Sequence, residues 1–165
     1  MDDQYRVYVD SPVGWLEISG DEEFVHSINF VEKRMPDQPI SPEALLKCKI
    51  QLEEYFLGSR KSFDFPYTMI GTDFQKKVWE KLLEIPFGQS MSYGDIAREM
   101  GNIKTVRAVG LANGKNKLSI VIPCHRVIGT NNKLIGYGGG LVRKDWLLKH
   151  EKFYSGLEHQ LDIFH

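Results

Sequence analysis

The sequence predicts a mixed α/β protein, with a sheet-bearing N-terminal lobe followed by a mainly helical C-terminal domain. Apolar and polar residues alternate through the first thirty positions, which is the period of antiparallel strands. An apolar stripe at helical spacing follows, formed by Leu45, Cys48, Leu52, Tyr55 and Phe56. From residue 72 onward, helix-capping residues and helical stripes replace the alternation.

The alternation falls in three runs that short polar turns separate, at residues 5–10, 15–19 and 24–30. We expect a three-stranded antiparallel meander with one face packed on the helix that carries the Leu45–Phe56 stripe. Residues 57–71 are loop-like, with Gly58, Pro66 and Gly71. The sequence therefore predicts an N-terminal α/β lobe over residues 1–70 and a second domain over residues 71–165.

Composition excludes disordered, fibrous and membrane-spanning classes. The chain is 42% hydrophobic and 26% charged, and no apolar run approaches the roughly 20 residues of a membrane span. Its N-terminus lacks the layout of a signal peptide, so we expect a cytoplasmic protein with no membrane partner. Two cysteines without a CxxC pair predict neither a disulfide framework nor a structural metal.

Charge is divided unevenly along the chain. Residues 1–60 carry 6 basic and 12 acidic side chains, whereas residues 101–150 carry 9 basic and one acidic. A solvated basic face is the ordinary explanation of such a segment. Asymmetry of this kind also suits a polyanionic partner, and the motifs below favour that interpretation.

Two short helices joined by a glycine turn are predicted between residues 92 and 112. Ser92 and Asp95 have the form of a capping box, Gly101 ends the first helix, and Asn102 can cap the second. This is the pattern of a helix-turn-helix, although a structural hairpin shares it. At helical periodicity Val106 and Val109 point inward. The expected outward face holds basic and small residues, namely Lys104, Arg107, Ala108, Leu111 and Ala112.

The two cysteines lie in different settings. Cys48 belongs to the first helical stripe and is expected to be a buried small hydrophobe. Cys124 follows a predicted β-branched strand over Leu118–Ile122 that must end at Pro123, because proline has no N–H for a sheet.

We expect Cys124 to begin a helical turn over residues 124–128. The helix dipole and the neighbouring His125 and Arg126 should then favour its thiolate. Because adjacent side chains diverge, His125 would reach the thiol through a water molecule. Glu151 offers a carboxylate that could fix the imidazole tautomer.

A glycine-rich loop, Gly136-Tyr137-Gly138-Gly139-Gly140, precedes an amphipathic helix that carries Leu141, Trp146, Leu147 and Leu148. The loop has neither the dinucleotide nor the Walker spacing of glycines. Its bare backbone N–H groups and tyrosine hydroxyl suit a phosphate or a flat heterocycle.

Together these residues resemble the O6-alkylguanine-DNA alkyltransferase family, the methylated-DNA–protein-cysteine methyltransferases. The resemblance is close from about Thr72 to Glu151 and covers the N-terminal lobe in outline. It rests on ordered motifs: Ser92-Tyr93, Arg107-Ala108-Val109-Gly110, Asn116, Pro-Cys-His-Arg within Ile120–Ile128, Gly136-Tyr137-x-Gly139-Gly140, and Trp146-Leu147-Leu148-x-His150-Glu151. It implies a ribonuclease-H-like N-terminal lobe and a C-terminal domain with a helix-turn-helix and an active-site loop.

The resemblance implies a role for each site residue. Cys124 would accept the alkyl group, His125 would take its proton through a water molecule, and Glu151 would orient His125. Asn116 would hold the turn that leads to the active-site strand. The leaving base would be met by Tyr137, donating to guanine N3, by backbone N–H groups around Gly138 and Gly139, which would face O6, and by Val127 in the base pocket.

The resemblance also implies how DNA is bound. The second helix of the motif would enter the minor groove of double-stranded DNA, with Lys104, Ala108, Gly110 and Ala112 on the contacting face. Tyr93 would crowd a phosphate so that the nucleotide rotates outward, and Arg107 would fill the space left in the stack. Binding should show no sequence preference, because damage arises at any guanine.

The implied function is DNA repair by direct reversal, in one irreversible transfer from O6-alkylguanine, with O4-alkylthymine as a further candidate substrate. The protein would act as a monomer without cofactor or metal, and would be spent after one reaction. Two departures from the family pattern bear on this expectation. Lys117 stands after Asn116 where proline is frequent, and Gly138 stands where serine or alanine is frequent.

Three alternatives use the same residues differently. A non-catalytic relative would bind alkylguanine DNA without removing the alkyl group, although such relatives carry tryptophan at the cysteine position. A cysteine hydrolase would use Cys124, His125 and Glu151 with turnover. A DNA-binding regulator would leave Cys124 inert.

Overall fold

The computed structural model describes residues 4–130 and 133–163, with side chains through residue 156. The chain divides into two compact units. The first comprises the chain up to Ile70 together with Lys117–Val121, and the second comprises Gly71–Asn116 and the chain from Ile122 onward. The mixed α/β class predicted from the sequence is confirmed.

The first unit contains a three-stranded antiparallel sheet and one helix. Strands β1 (Tyr5–Ser11), β2 (Gly14–Gly20) and β3 (Val25–Val31) pair in sequence order, as the alternation predicts. Helix α1 (Glu43–Phe56) contacts all three strands. Its buried stripe includes the predicted Leu45, Cys48, Leu52 and Tyr55.

The predicted strand over Leu118–Ile122 is wrong. Within this segment only Leu118 forms a bridge, parallel to Ile28 of β3. The Ile28 N–H donates to the Lys117 carbonyl at 2.8 Å, and the Ser119 N–H donates to the Ile28 carbonyl at 3.3 Å. Ile120 then adopts a φ of 73°, and this left-handed conformation of a β-branched residue turns the backbone out of an extended path.

The second unit is mainly helical. Its elements are α2 (Asp73–Leu83), β4 (Met91–Ser92), α3 (Tyr93–Glu99), a 3₁₀ turn (Ile103–Thr105), α4 (Val106–Gly114), a second 3₁₀ turn (Cys124–Arg126), β5 (Val127–Ile128) and α5 (Leu141–Ile163). Strands β4 and β5 pair in parallel. In the described part of the chain, no helix combines the length and the apolar character of a membrane span.

Local capping signals position the helices as predicted. The capping box expected from Ser92 and Asp95 is formed, and Thr72 and Gln75 form another at the start of α2. Gly101 has a φ of 95° and makes the turn between α3 and α4. The Asn102 side chain accepts the Lys104 N–H, although it caps the 3₁₀ turn rather than α4 itself.

Packing between helices fixes α4 in the second unit. The indole N–H of Trp79 donates to the Ala112 carbonyl at 2.9 Å and so joins α2 to α4. Val109 of α4 and Ile96 of α3 are both fully buried. The helix-turn-helix is therefore held by its own core and by α2.

Candidate active site

The thiol of Cys124 is buried beside an amide. Cys124 begins the 3₁₀ turn and is 5% exposed. The Asn116 side-chain N–H₂ donates to Cys124 Sγ at 3.1 Å and to the Ile122 carbonyl at 2.8 Å. Asn116 therefore ties the thiol to the backbone that precedes it.

Burial raises the pKa of the Cys124 thiol, and the Asn116 hydrogen bond followed by the charge of Lys144 opposes that rise. The expectation that a helical turn and two basic neighbours favour the thiolate holds only for the turn: the backbone N–H groups of Cys124 and His125 lower the pKa of the thiol, but less than burial raises it. The turn is only three residues long, so its dipole is small. His125 and Arg126 direct their side chains to a carboxylate instead of the sulfur.

That carboxylate is the fully buried Glu151 of α5. His125 Nε2 lies 2.5 Å from Glu151 Oε2, and Arg126 Nε donates to Oε1 at 2.7 Å. The Gly88 N–H also donates to Oε1, at 3.2 Å. With Nε2 hydrogen-bonded to the carboxylate, His125 Nδ1 is buried without a hydrogen-bond partner among the described residues.

The protonation states of Glu151 and His125 allow His125 to act as a base. Burial by itself would raise the pKa of Glu151, but His125 and then Arg126 hold it well below its usual range. Burial lowers the pKa of His125 below its ordinary value, against the opposing effect of Glu151. The site thus holds a neutral imidazole whose Nε2–H points to an ionised carboxylate and whose Nδ1 lone pair can accept a proton.

A lysine that the charge count assigned to the basic surface lies inside the site. Lys144 of α5 is fully buried, and burial lowers its pKa to about 8. Its ammonium donates to the carbonyls of Ile135 and Gly136, both at 2.9 Å, and to that of Val127. It therefore fastens the glycine-rich loop to the segment that follows Cys124. Arg126 is likewise buried, which removes a second cation from the expected basic surface.

Two tyrosines belong to this region. The Tyr93 hydroxyl donates to the Ile135 carbonyl at 3.3 Å. The same hydroxyl accepts an N–H from Asn113 Nδ2 at 3.5 Å. Burial, and then the negative charge of the Cys124 thiolate, raise the pKa of Tyr93. Tyr93 therefore borders the thiol. Tyr137 is half-buried in the glycine-rich loop.

The remaining residues that we expect in the base pocket differ in exposure. Gly138 is exposed, with nothing within 4 Å of an added Cβ, and Gly139 is half-buried. The loop turns at Gly136 and Gly140, with φ values of 63° and 90°. Val127 is fully buried, and its carbonyl is held by Lys144.

The outer face of α4 and the turn before it carries four of the expected residues. Lys104, Arg107, Ala108 and Leu111 are exposed, Leu111 to 66%. The expectation that Ala112 faces outward is wrong, because Ala112 is 2% exposed. Three residues after the buried Val109, it lies on the same helix face.

Gly110 is half-buried, and a Cβ there would stand 3.9 Å from the Tyr93 ring. This position therefore lies toward Tyr93 and not on the open face with Arg107.

Sequence reasoning missed three contributors to the site. Asn113 is buried and donates to the Cys124 carbonyl at 3.4 Å, although an asparagine followed by glycine indicates only a helix end. The segment Ile85–Gly88 has the proline and glycine of a helix breaker, yet it also contains hydrogen-bond partners of Arg126 and Glu151. The spacing of Lys144, three residues before Leu147 and seven before Glu151, was an available signal of its burial.

Two family models match the chain. Residues 4–68 match the ribonuclease-like domain of 6-O-methylguanine DNA methyltransferase, and residues 73–153 match the DNA binding domain of the same family. A protein of Methanosarcina acetivorans named methylated-DNA–protein-cysteine methyltransferase is 46% identical over 152 residues, or 89% of this chain and 97% of the relative. One of Mycolicibacterium paratuberculosis with the same name is 42% identical over 156 residues, or 92% and 94%.

Solved structures are similar as well. The crystal structure of Mycobacterium tuberculosis O6-methylguanine methyltransferase matches with a TM-score of 0.81 at 42% identity, over 91% of this chain and 93% of that one. A Mycobacterium tuberculosis structure in complex with DNA matches with a TM-score of 0.82 at 42% identity, over 91% and 94%.

Proposed function

Because this chain belongs to the 6-O-methylguanine DNA methyltransferase family, we propose that it repairs alkylated DNA by direct reversal, with Cys124 as the alkyl acceptor. It is a methylated-DNA–protein-cysteine methyltransferase. The observation that carries the assignment to Cys124 is its setting. The sulfur accepts an N–H from Asn116, and Cys124 precedes the buried neutral base His125 by one position in the same turn.

The proposed reaction is a displacement at a saturated carbon. His125 Nδ1 takes the thiol proton through a bridging water molecule, and Glu151 stabilises the imidazolium that results. The thiolate sulfur forms a bond to the alkyl carbon while the bond from that carbon to guanine O6 breaks. The electron pair goes to the purine, which gains a proton at N3. The product thioether is stable, so each molecule reacts once.

The leaving base is received by the glycine-rich loop. Tyr137 donates the proton to N3, backbone N–H groups of Gly138 and Gly139 face O6, and Val127 contributes to the base pocket. Asn116 fixes the position of the Cys124 thiol relative to this loop. O4-alkylthymine presents a similar alkylated oxygen and is a second candidate substrate.

Access to a base in a duplex requires that it leave the stack, which costs a few kcal/mol. The exposed face with Lys104, Arg107 and Ala108 suits the minor groove, because a groove about 6 Å wide accepts small side chains. Arg107 fills the vacated space, and Tyr93 crowds the phosphate. We infer binding without sequence preference, by a monomer.

We further infer that residues 71–165 carry the alkyl transfer and that residues 1–70 form a separate lobe. A cytoplasmic location fits the chemistry, because a free thiol stays reduced there.

The test is a mass spectrum after incubation with duplex DNA that carries one O6-methylguanine. We expect a single methylene-sized gain on the peptide that holds Cys124, with one transfer per protein molecule. Cys124→Ser should show no gain, whereas the matched control Cys48→Ser should react like the wild type, because Cys48 is buried in the α1 stripe. Repeated turnover, or a gain on another peptide, would contradict the proposal.

A further inference from the structure

Glu151 is shared between two cationic or potentially cationic side chains. Its Oε2 faces His125 at 2.5 Å, and its Oε1 accepts from Arg126 Nε at 2.7 Å and from the Gly88 N–H at 3.2 Å. The proton relay of the proposed function uses only the Oε2 side. Oε1 accepts two hydrogen bonds, yet no step of the proposed reaction involves this oxygen.

We propose that Arg126 is a positioning residue that neutralises Glu151, so that His125 stays a neutral base toward Cys124 instead of becoming the counterion of the carboxylate. This inference rests on the proposed function, because a neutral His125 matters only if it accepts the thiol proton. Arg126 has no part in the bond changes at the sulfur or at the guanine. Its effect on His125 is transmitted by Glu151.

The physical argument is a competition for one buried charge. An ionised carboxylate buried beside an imidazole favours the imidazolium, because an uncompensated charge is costly away from water. An imidazolium has no lone pair on Nδ1 and cannot take a proton. A guanidinium is always protonated, so Arg126 supplies the compensating charge at every working pH.

The charged groups around His125 agree with this balance. Glu151 of α5 favours the imidazolium, whereas Arg126 in the same turn and Lys144 of α5 oppose it. Cys124 adds a negative charge when ionised. Burial, the largest influence, also favours the neutral ring.

Arg126 is itself held by the Ile85–Gly88 loop. Its Nη1 donates to the Ile85 carbonyl at 2.6 Å, and its guanidinium carbon lies 5.8 Å from the centre of the Phe87 ring. Gly88 has a φ of 81°, and a Cβ there would overlap Ser155 of α5. The loop therefore fixes both the Arg126 guanidinium and the N–H that shares Oε1.

The experiment measures the protonation midpoint of His125 directly, by ¹⁵N NMR of the imidazole in the intact protein. We expect Arg126→Met to raise the midpoint by about one pH unit or more, which is about a tenfold change in the ratio of imidazolium to imidazole at a given pH. Arg126→Lys keeps the charge and should stay close to the wild type. Arg60→Met is the matched control, since Arg60 pairs with Glu54 at 3.0 Å in the first unit.

A double variant separates charge from packing. Arg126→Met with Glu151→Gln removes both charges and should return the midpoint to its wild-type value or below. The single-turnover methyl transfer rate of Arg126→Met should fall several-fold more at about pH 6 than at about pH 8, because the raised midpoint increases the imidazolium fraction mainly at the lower pH.

An unchanged midpoint in Arg126→Met, or a rate loss of equal size at every pH, would overturn the proposal and leave Arg126 a packing residue. A midpoint that stays raised in the double variant would also overturn it. The NMR midpoint needs no DNA substrate. Failure of the wild type to accept a methyl group would therefore count against the proposed function and not against this charge balance.

Discussion

The Asn116 amide donates to the Cys124 sulfur at 3.1 Å and to the Ile122 carbonyl at 2.8 Å. A hydrogen bond to a thiolate is stronger than one to a thiol, because its acceptor is charged. Among the described groups that act on the thiol, this bond gives the largest effect that opposes burial. At the residue scale, the pKa of the thiol therefore depends on an uncharged neighbour eight positions away in sequence.

Replacement of this amide should make the thiol harder to ionise. In Asn116→Ala we expect the midpoint of the pH–rate profile for a small thiol reagent to rise by about one unit, since a hydrogen bond to a charged group contributes about 1.5–3 kcal/mol. Stopped-flow alkylation with iodoacetamide would measure it. Asn29→Ala, at an exposed position of β3, is the control. An identical midpoint in Asn116→Ala would show that the amide only supports the backbone.

At the element scale, the helix-turn-helix combines a conformational requirement with a charged face. Gly101 has a φ of 95°, and nothing lies within 4 Å of a Cβ built there. The turn therefore requires glycine for its backbone and not for space. Beyond it, Lys104 and Arg107 are exposed on one side.

Gly101→Ala should destabilise the protein by about 1–3 kcal/mol, which is the usual cost of such a conformation in a residue with a side chain. Urea unfolding would measure the free energy. Gly156→Ala is a matched control on α5, where nothing lies within 4 Å of the new Cβ. There alanine should be neutral or stabilising by about 0.5–1 kcal/mol, since it favours helix. Equal effects at the two positions would refute the argument.

The exposed basic face of the helix-turn-helix should make DNA affinity depend on salt concentration. Lys104→Ala is expected to weaken binding to undamaged duplex DNA and to reduce the slope of log K against log salt concentration by about one, because one phosphate contact is lost. Fluorescence anisotropy over a salt series would test this. Lys33→Ala, at an exposed position of the first unit, should leave the slope unchanged. An unchanged slope in Lys104→Ala would show that Lys104 does not contact a DNA phosphate.

At the scale of the whole molecule, each unit contains its own buried polar network. In the second unit it is the group around Glu151. In the first unit His26 is buried between Asp21 and Thr68. Its Nε2 lies 2.9 Å from Asp21 Oδ2, and its Nδ1 lies 3.1 Å from Thr68 Oγ1.

The network of the first unit predicts a pH dependence of stability. The N–H groups of Phe24 and Glu23, and then His26, lower the pKa of Asp21 from 3.8 to about 2. A depressed carboxyl pKa stabilises the fold above the unfolded value, and the contribution is lost as pH falls toward 2. Asp21→Asn should therefore lower Tm at neutral pH, and the difference from wild type should shrink between pH 3.8 and 2.

Thermal melts followed by circular dichroism would measure this difference. Asp10→Asn, at an exposed position on β1, is the control. A difference that is constant down to about pH 2 would show that Asp21 acts without its charge.

The sequence by itself determined the three-strand meander, the helices that follow it, the capping boxes, the glycine turn at Gly101 and the different settings of Cys48 and Cys124. These features depend on local signals, because hydrophobic period, capping side chains and glycine conformations act within a few residues. The approach of His125 to Glu151 also follows from the motif order that the family resemblance supplies.

Only the tertiary structure decided the electrostatics of the site. Burial of Cys124, the buried ammonium of Lys144 and the division of Glu151 between His125 and Arg126 all depend on residues far apart in the chain. A sequence pattern counts Lys144 as a surface cation, whereas folding surrounds it with three carbonyls and lowers its pKa to about 8. The physical reason is that ionisation responds to desolvation and to charges in space, and neither is encoded at the position that titrates.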